Sequence, residues 1–330
     1  MRLFFLFSSF LISIQSQATQ ITGPLPQLKI DPTRVSVSGV SSGAYFAVQF
    51  HLAHSDLVQG VGAVAGGTYW CAEGDSNRAQ SACMGQPQKV SSQRSIEKAK
   101  EQADKGLIDP LANLENDRIY IFAASNDFII KPEHSQILQE FYQTFVPGEL
   151  ITRATHPTAS HGFLTKDFGN ACGIMGTPWL QKCNTDLASD ILDHLDPIWT
   201  KQPPKPVDPT ESSLIFFDQG VYTTGANQMY SWGAAYVPAI CRQQKCGLHV
   251  AFHGCQMNPD FIEETFVRNA GFLEAADRHG IVVLFPQSSK GPGNPYGCWD
   301  WYGLHGQDYI NQRGAQIRAV YKMVQDLIKK

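Results

Sequence analysis

Arg34-Val-Ser-Val-Ser-Gly-Val-Ser-Ser-Gly-Ala-Tyr-Phe-Ala-Val-Gln-Phe-His-Leu-Ala53 reads as a strand, a sharp turn and a helix in immediate succession. Val35 to Ser38 alternates β-branched and small polar residues, the period of a strand, and Ala44 to Ala53 is a helix-forming run. Between them lies Gly39-Val40-Ser41-Ser42-Gly43, a G-x-S-x-G pattern. Such a turn needs glycine where side chains would clash, and it leaves the serine hydroxyl exposed at the start of the helix. A chain with 28 glycines also meets this pattern by chance, so a glycine-rich turn capped by serine is the plain alternative. The strand before it and the helix after it favour Ser41 as a nucleophile.

Outward from this stretch, short β-branched runs alternate with helical patterns, which predicts an α/β fold: a mostly parallel sheet flanked by helices. Strands are expected at Arg34–Ser38, Val61–Ala65, Arg118–Ala123, Leu150–Ala154, Leu214–Phe217, Leu248–Phe252 and Ile281–Phe285. Helices are expected at Ala44–Ala53, Gln93–Asp104, His134–Thr144, Leu187–Leu195, Glu263–Arg278 and Tyr309–Ile328.

A serine nucleophile needs a base to take its proton and a carboxylate to orient that base. Asp127 follows the strand Arg118–Ala123 and precedes a helix, where a parallel sheet collects catalytic groups. A loop or helix-capping carboxylate is the alternative for Asp127, and Asp109, Asp117 and Asp167 lack its placement. Ten histidines compete for the base. The order Ser, Asp, His demotes His51, His54 and His134. His161, in Ala159-Ser-His-Gly-Phe163, is preferred because its glycine lets the loop approach the serine. His156 is second, held extended by Pro157. His194, His279 and His305 read as packed or solvated side chains.

Leu248-His-Val-Ala-Phe-His-Gly-Cys255 is an apolar strand ending in a His-Gly turn. In α/β-hydrolases such a turn supplies a backbone N–H to the oxyanion, beside the N–H that follows the nucleophile. The donors here would be those of Cys255 and Ser42. Most such enzymes place the turn before the nucleophile, whereas here it follows by more than two hundred residues. A circularly permuted α/β-hydrolase fold accounts for that order, because permutation moves the chain ends and keeps the site. The proline-rich stretch Lys201–Pro209 is then the join between the two halves, inside one catalytic domain, 19–330.

Met1-Arg2, the apolar run Leu3–Ile14 and Ser16-Gln-Ala18 form a signal-peptide pattern over residues 1–18, and the run is too short to span a bilayer. A secreted protein, extracellular or periplasmic, is expected, without stable membrane insertion. A formal charge of −4 with no Lys/Arg block argues against nucleic acid as a partner. The eight cysteines (Cys71, Cys83, Cys172, Cys183, Cys241, Cys246, Cys255 and Cys298) suit disulfides behind such a leader. Short loops close cheaply, which favours Cys71–Cys83, Cys172–Cys183 and Cys241–Cys246 and leaves Cys255–Cys298. No C-x-x-C pair or His/Cys cluster at ligand spacing suggests a metal, and no cofactor motif is present.

Gly39-Val-Ser-Ser-Gly43, Ser125-Asn-Asp127, Ser160-His-Gly162, Cys246-Gly-Leu-His-Val-Ala-Phe-His-Gly-Cys255 and Asn294-Pro-Tyr-Gly-Cys-Trp-Asp-Trp301 together resemble the secreted, single-domain, circularly permuted poly(3-hydroxybutyrate) depolymerases. The resemblance implies Ser41, Asp127 and His161 as triad and the amides of Ser42 and Cys255 as oxyanion hole. It also implies a polyester or small-ester substrate, and a monomer is expected. Trp299 and Trp301 are candidates for lining the substrate subsites; a half-buried packing role is the alternative. A small-ester or carbohydrate (acetyl or feruloyl) esterase is the second enzymatic reading. A secreted binding protein on a hydrolase scaffold is the non-enzymatic one.

Overall fold

The computed structural model describes residues 21–197, 212–224 and 227–329. The expected signal peptide, 1–18, and the proline-rich stretch 201–209 lie outside the described residues. Among the described residues there are eleven strands: β1 (Ile30–Val40), β2 (Gly60–Val64), β3 (Arg118–Ala124), β4 (Ile151–His156), β5 (Phe163–Thr165), β6 (Asn170–Ala171), β7 (Leu180–Lys182), β8 (Ser213–Asp218), β9 (Trp232–Val237), β10 (Cys246–Phe252) and β11 (Ile281–Phe285). Eight of them form one sheet in the order β4-β3-β2-β1-β10-β11-β9-β8, and β5, β7 and β6 form a small second sheet. Within the large sheet β9 runs antiparallel to both β11 and β8, and every other pair is parallel.

The inner strands of the large sheet are mostly apolar because both faces are covered, and alternate side chains enter different cores. Ile119 and Ile121 of β3 point into one core while Tyr120 and Phe122 point into the other. Val282 and Leu284 of β11 likewise part from Ile281, Val283 and Phe285. Helix α1 (Ser42–Ala53) lies on the first face and is buried along its whole length, so its apolar run is not confined to one stripe. The helix Ala315–Ile328 covers the same face. Leu187–Leu195 and Phe272–His279 cover the other.

Two helix expectations need correction, and some elements were not expected at all. The helix expected over Glu263–Arg278 is three pieces, Pro259–Ile262, Thr265–Asn269 and Phe272–His279. Glu263 (φ 51°) and Gly271 (φ 87°) both take left-handed conformations that a helix cannot continue through. The helix expected from Tyr309 begins at Ala315, after a 3-10 turn at Gln307–Ile310. Strand β9, the small sheet and the helix Ser76–Gly85 were not expected: Trp-Gly-Ala-Ala-Tyr-Val is poor in β-branched residues, and the other elements are short.

Candidate active site

Ser41 closes the turn between β1 and α1 with φ 57° and ψ −120°, a conformation that non-glycine residues rarely adopt. The glycines around it are sterically required. A Cβ on Gly39 would sit 2.2 Å from the Gly43 carbonyl oxygen, and one on Gly43 would sit 2.3 Å from that of His253. The second contact presses the elbow onto the end of β10, so the spacing of the motif serves tertiary packing as well as the turn.

Asp127 and His161 come from the loops after β3 and around the end of β4, which are neighbours in the sheet. His161 Nε2 lies 3.0 Å from Ser41 Oγ, and His161 Nδ1 lies 2.7 Å from Asp127 Oδ2. Asp127 Oδ1 accepts the amides of Ile129 (2.9 Å) and Ile130 (2.8 Å), which fixes the carboxylate before the histidine meets it. All three side chains are buried. The structure thus brings together three residues separated by up to 120 positions in the chain.

The other candidates are engaged elsewhere. His156 Nδ1 accepts the Ala159 amide at 3.1 Å and so shapes the loop that carries His161. His51 bonds Asp117 and Tyr142 in the core, and His194 meets the Leu150 carbonyl. Asp109 accepts from the Asp56 amide and from Gln312.

Ser41, Ser42, His161 and Cys255 line a cleft of about 440 Å³. The backbone N–H groups of Ser42 and Cys255 donate to no protein oxygen among the described residues. The sulfurs pair as Cys71–Cys83, Cys172–Cys183, Cys241–Cys246 and Cys255–Cys298. The last ties the His-Gly turn to the loop carrying Trp301, which stacks on Tyr45 with ring centroids 4.5 Å apart and lines the cleft. Trp299 does not line it. Its ring is fully buried, stacked on Phe46 at 4.7 Å and set against Phe252, so its expected substrate contact is replaced by a place in the core.

Two contributors have no motif in the sequence. Trp179 meets His161 edge-on and donates from Nε1 to Gln256 Oε1 at 3.2 Å, bridging two walls of the cleft. Gln181, fully buried, bonds Ser160 through its amide and carbonyl and also accepts from Gly173 N and donates to the His161 carbonyl. Both lie between Cys172 and Cys183, and a tryptophan in so short a disulfide loop soon after the histidine was the available signal.

A parallel sheet with a serine elbow at the end of a central strand and a histidine–carboxylate pair within reach defines the α/β-hydrolase class. Residues 231–328 match the family described as "Esterase PHB depolymerase". Poly(3-hydroxybutyrate) depolymerase of Delftia acidovorans is 37% identical over 304 residues, covering 91% of this chain and 60% of its own length. Polyhydroxybutyrate depolymerase of Talaromyces funiculosus is 31% identical over 324 residues, 92% of each chain. The crystal structure of PHB depolymerase from Penicillium funiculosum superposes with a TM-score of 0.82 at 30% identity, over 93% of this chain and 99% of that one. A PHB depolymerase complexed with an R3HB trimer superposes with a TM-score of 0.83, at the same identity and coverage. The chain belongs to the PHB depolymerase family of esterases.

Proposed function

We propose that the protein is a secreted serine esterase that hydrolyses poly(3-hydroxybutyrate) or its short oligomers, as a single catalytic domain and a monomer. The observation that carries this reading is the hydrogen-bonded series Asp127–His161–Ser41, whose Ser41 and His161 line a cleft that no Asp, Glu, Lys or Arg lines among the described residues. Tyr45, Met84, Ile130 and Trp301 make it largely apolar, which suits an uncharged polyester. The related structure that holds an R3HB trimer supports the same substrate class.

In this reading Ser41 Oγ attacks the ester carbonyl while His161 Nε2 removes its proton, and Asp127 holds the imidazole in the tautomer that can accept it. The amides of Ser42 and Cys255 receive the oxyanion. His161 then protonates the leaving alkoxide, and water, deprotonated in turn by His161, releases the acyl group from Ser41. Four disulfides, together with the absence among the described residues of any helix long and apolar enough to cross a membrane, support the extracellular or periplasmic assignment.

The sheet order supports circular permutation. The nucleophile strand β1 is the first strand among the described residues yet lies at the centre of the sheet, and its neighbour β10, which carries the His-Gly turn, comes about two hundred residues later in sequence. The next strand of the large sheet after β4 in sequence is β8, which lies at the opposite edge.

The decisive experiment compares rates on a polymer suspension, hydroxybutyrate oligomers, p-nitrophenyl acyl esters and acetylated or feruloylated sugars. Hydrolysis of polymer or oligomers above the sugar esters is expected; preference for the sugar esters would sink the substrate assignment.

A further inference from the structure

Gln181, the middle residue of β7, is completely buried, where an amide side chain is costly unless its polar atoms are matched. They are matched, and four of the five matches lie on the loop that carries His161. Oε1 accepts from the Ser160 amide at 3.1 Å, the Ser160 hydroxyl at 3.2 Å and the Gly173 amide at 2.9 Å. Nε2 donates to the carbonyls of Ser160 at 2.8 Å and His161 at 3.0 Å.

The backbone explains why a side chain is needed there. β5 and β7 pair from Phe163 and Leu180 to Thr165 and Lys182, and the Phe163 amide donates to the Trp179 carbonyl at 2.9 Å. The loop before Phe163 leaves this ladder. At Ser160 the Gln181 side chain takes the place of backbone, meeting both N–H and C=O as a paired strand residue would. Gly162 permits the approach, because a Cβ on it would sit 2.6 Å from the Trp179 carbonyl oxygen and 3.0 Å from Gln181 Nε2. On the other side the Asn126 amide donates to the Ala159 carbonyl at 3.2 Å, one residue before Asp127.

We propose that Gln181 is the positioning residue of His161, and that the small sheet is the mount that presents it. The Cys172–Cys183 disulfide closes the segment from which both Gln181 and Gly173 come. Gln181 does not line the cleft. It acts by holding the backbone before and at His161, so that Nε2 stays 3.0 Å from Ser41 Oγ. The proposal rests on the reading of His161 as general base.

Gln181→Met keeps the length of the side chain and removes all five hydrogen bonds. With a soluble p-nitrophenyl acyl ester it is expected to lower kcat about 100-fold with KM nearly unchanged, the cost of a catalytic group displaced by about 1 Å. In a His161→Ala background the same substitution is expected to change the residual rate less than about twofold, because the imidazole it acts through is gone. The same fold-loss in both backgrounds means general damage and overturns the proposal, as does full kcat in Gln181→Met. His161→Ala alone retaining the parent rate would overturn the base assignment and this proposal with it, which tells the two failures apart.

Gln181→Glu decides the matter if Gln181→Met does not fold. Its neutral carboxyl keeps one acceptor and one donor in the same shape, whereas its carboxylate has no donor for the carbonyls of Ser160 and His161. Burial favours the neutral form at low pH, so kcat relative to the parent is expected to fall between about pH 6 and about pH 9. A ratio independent of pH overturns the proposal.

Discussion

The carboxylate of Asp127 is divided between two tasks: Oδ2 meets His161 Nδ1 at 2.7 Å, and Oδ1 accepts the amides of Ile129 and Ile130. An asparagine here must give its one oxygen to those amides, because turning it round would leave two buried donors without an acceptor. Its NH₂ would then face His161 Nδ1 and force the proton onto Nε2, the atom that has to accept from Ser41. Asp127→Asn is therefore expected to lower kcat about 10⁴-fold with the fold intact, measured on a soluble ester. A loss under tenfold would show that the tautomer is not held by this contact.

Ser41→Ala is expected to remove hydrolysis by several orders of magnitude at unchanged circular dichroism. A second comparison reads the backbone. Glycine tolerates the φ of 57° that serine and alanine do not, so Ser41→Gly should unfold at higher denaturant than Ser41→Ala, by about 1 kcal/mol. The reverse order would mean that the elbow is unstrained.

His161→Ala should match Ser41→Ala in severity, whereas His156→Ala should cost about tenfold in kcat/KM, far less than a triad member. His156 acts through the loop, because its Nδ1 holds the Ala159 amide two residues before His161. Reversed severities would move the base to His156.

The two tryptophans should separate in their effects. Trp299→Ala opens a cavity between Phe46 and Phe252 and is expected to cost about 3–5 kcal/mol in urea unfolding. Trp301→Ala removes a wall of the cleft, so KM for oligomers should rise more than stability falls. If Trp299→Ala is stable and raises KM instead, the core assignment of its ring fails.

Opening the Cys255–Cys298 bridge removes a cross-link over a sequence separation of 43. Replacing both cysteines by alanine should cost roughly 4 kcal/mol through the unfolded chain's added freedom. Lower kcat is also expected, because the Cys255 amide then has to be oriented during the reaction. Unchanged kcat at a lowered Tm would confine the bridge to stability.

The elbow and its flanking elements were legible because everything that makes them is local. Gly39, Ser41 and Gly43 lie within five residues, and the change from strand period to helical run happens beside them. Asp127 and His161, which the proposed triad uses, became candidates for a related reason: each follows a parallel strand, and chain order, with the glycine beside His161, favoured them over the other acids and histidines. Strands separated by helical runs imply crossover connections and hence parallel pairing, which is why the parallel part of the sheet was read and the alanine-rich β9 was not.

What the sequence by itself determined is thus the class of fold, the nucleophile turn and the residue types able to serve it. Only the tertiary structure decided which side chains wall the cleft. Trp299 and Trp301 are two positions apart, but their loop has no period, so nothing local separates a core ring from a cleft ring. Trp179 meets Gln256 across 77 residues, and Gln181 holds the histidine loop from a small sheet too short to announce itself. Such contacts depend on where several chain segments converge, and that is set by the packing of the whole sheet rather than by any window of sequence.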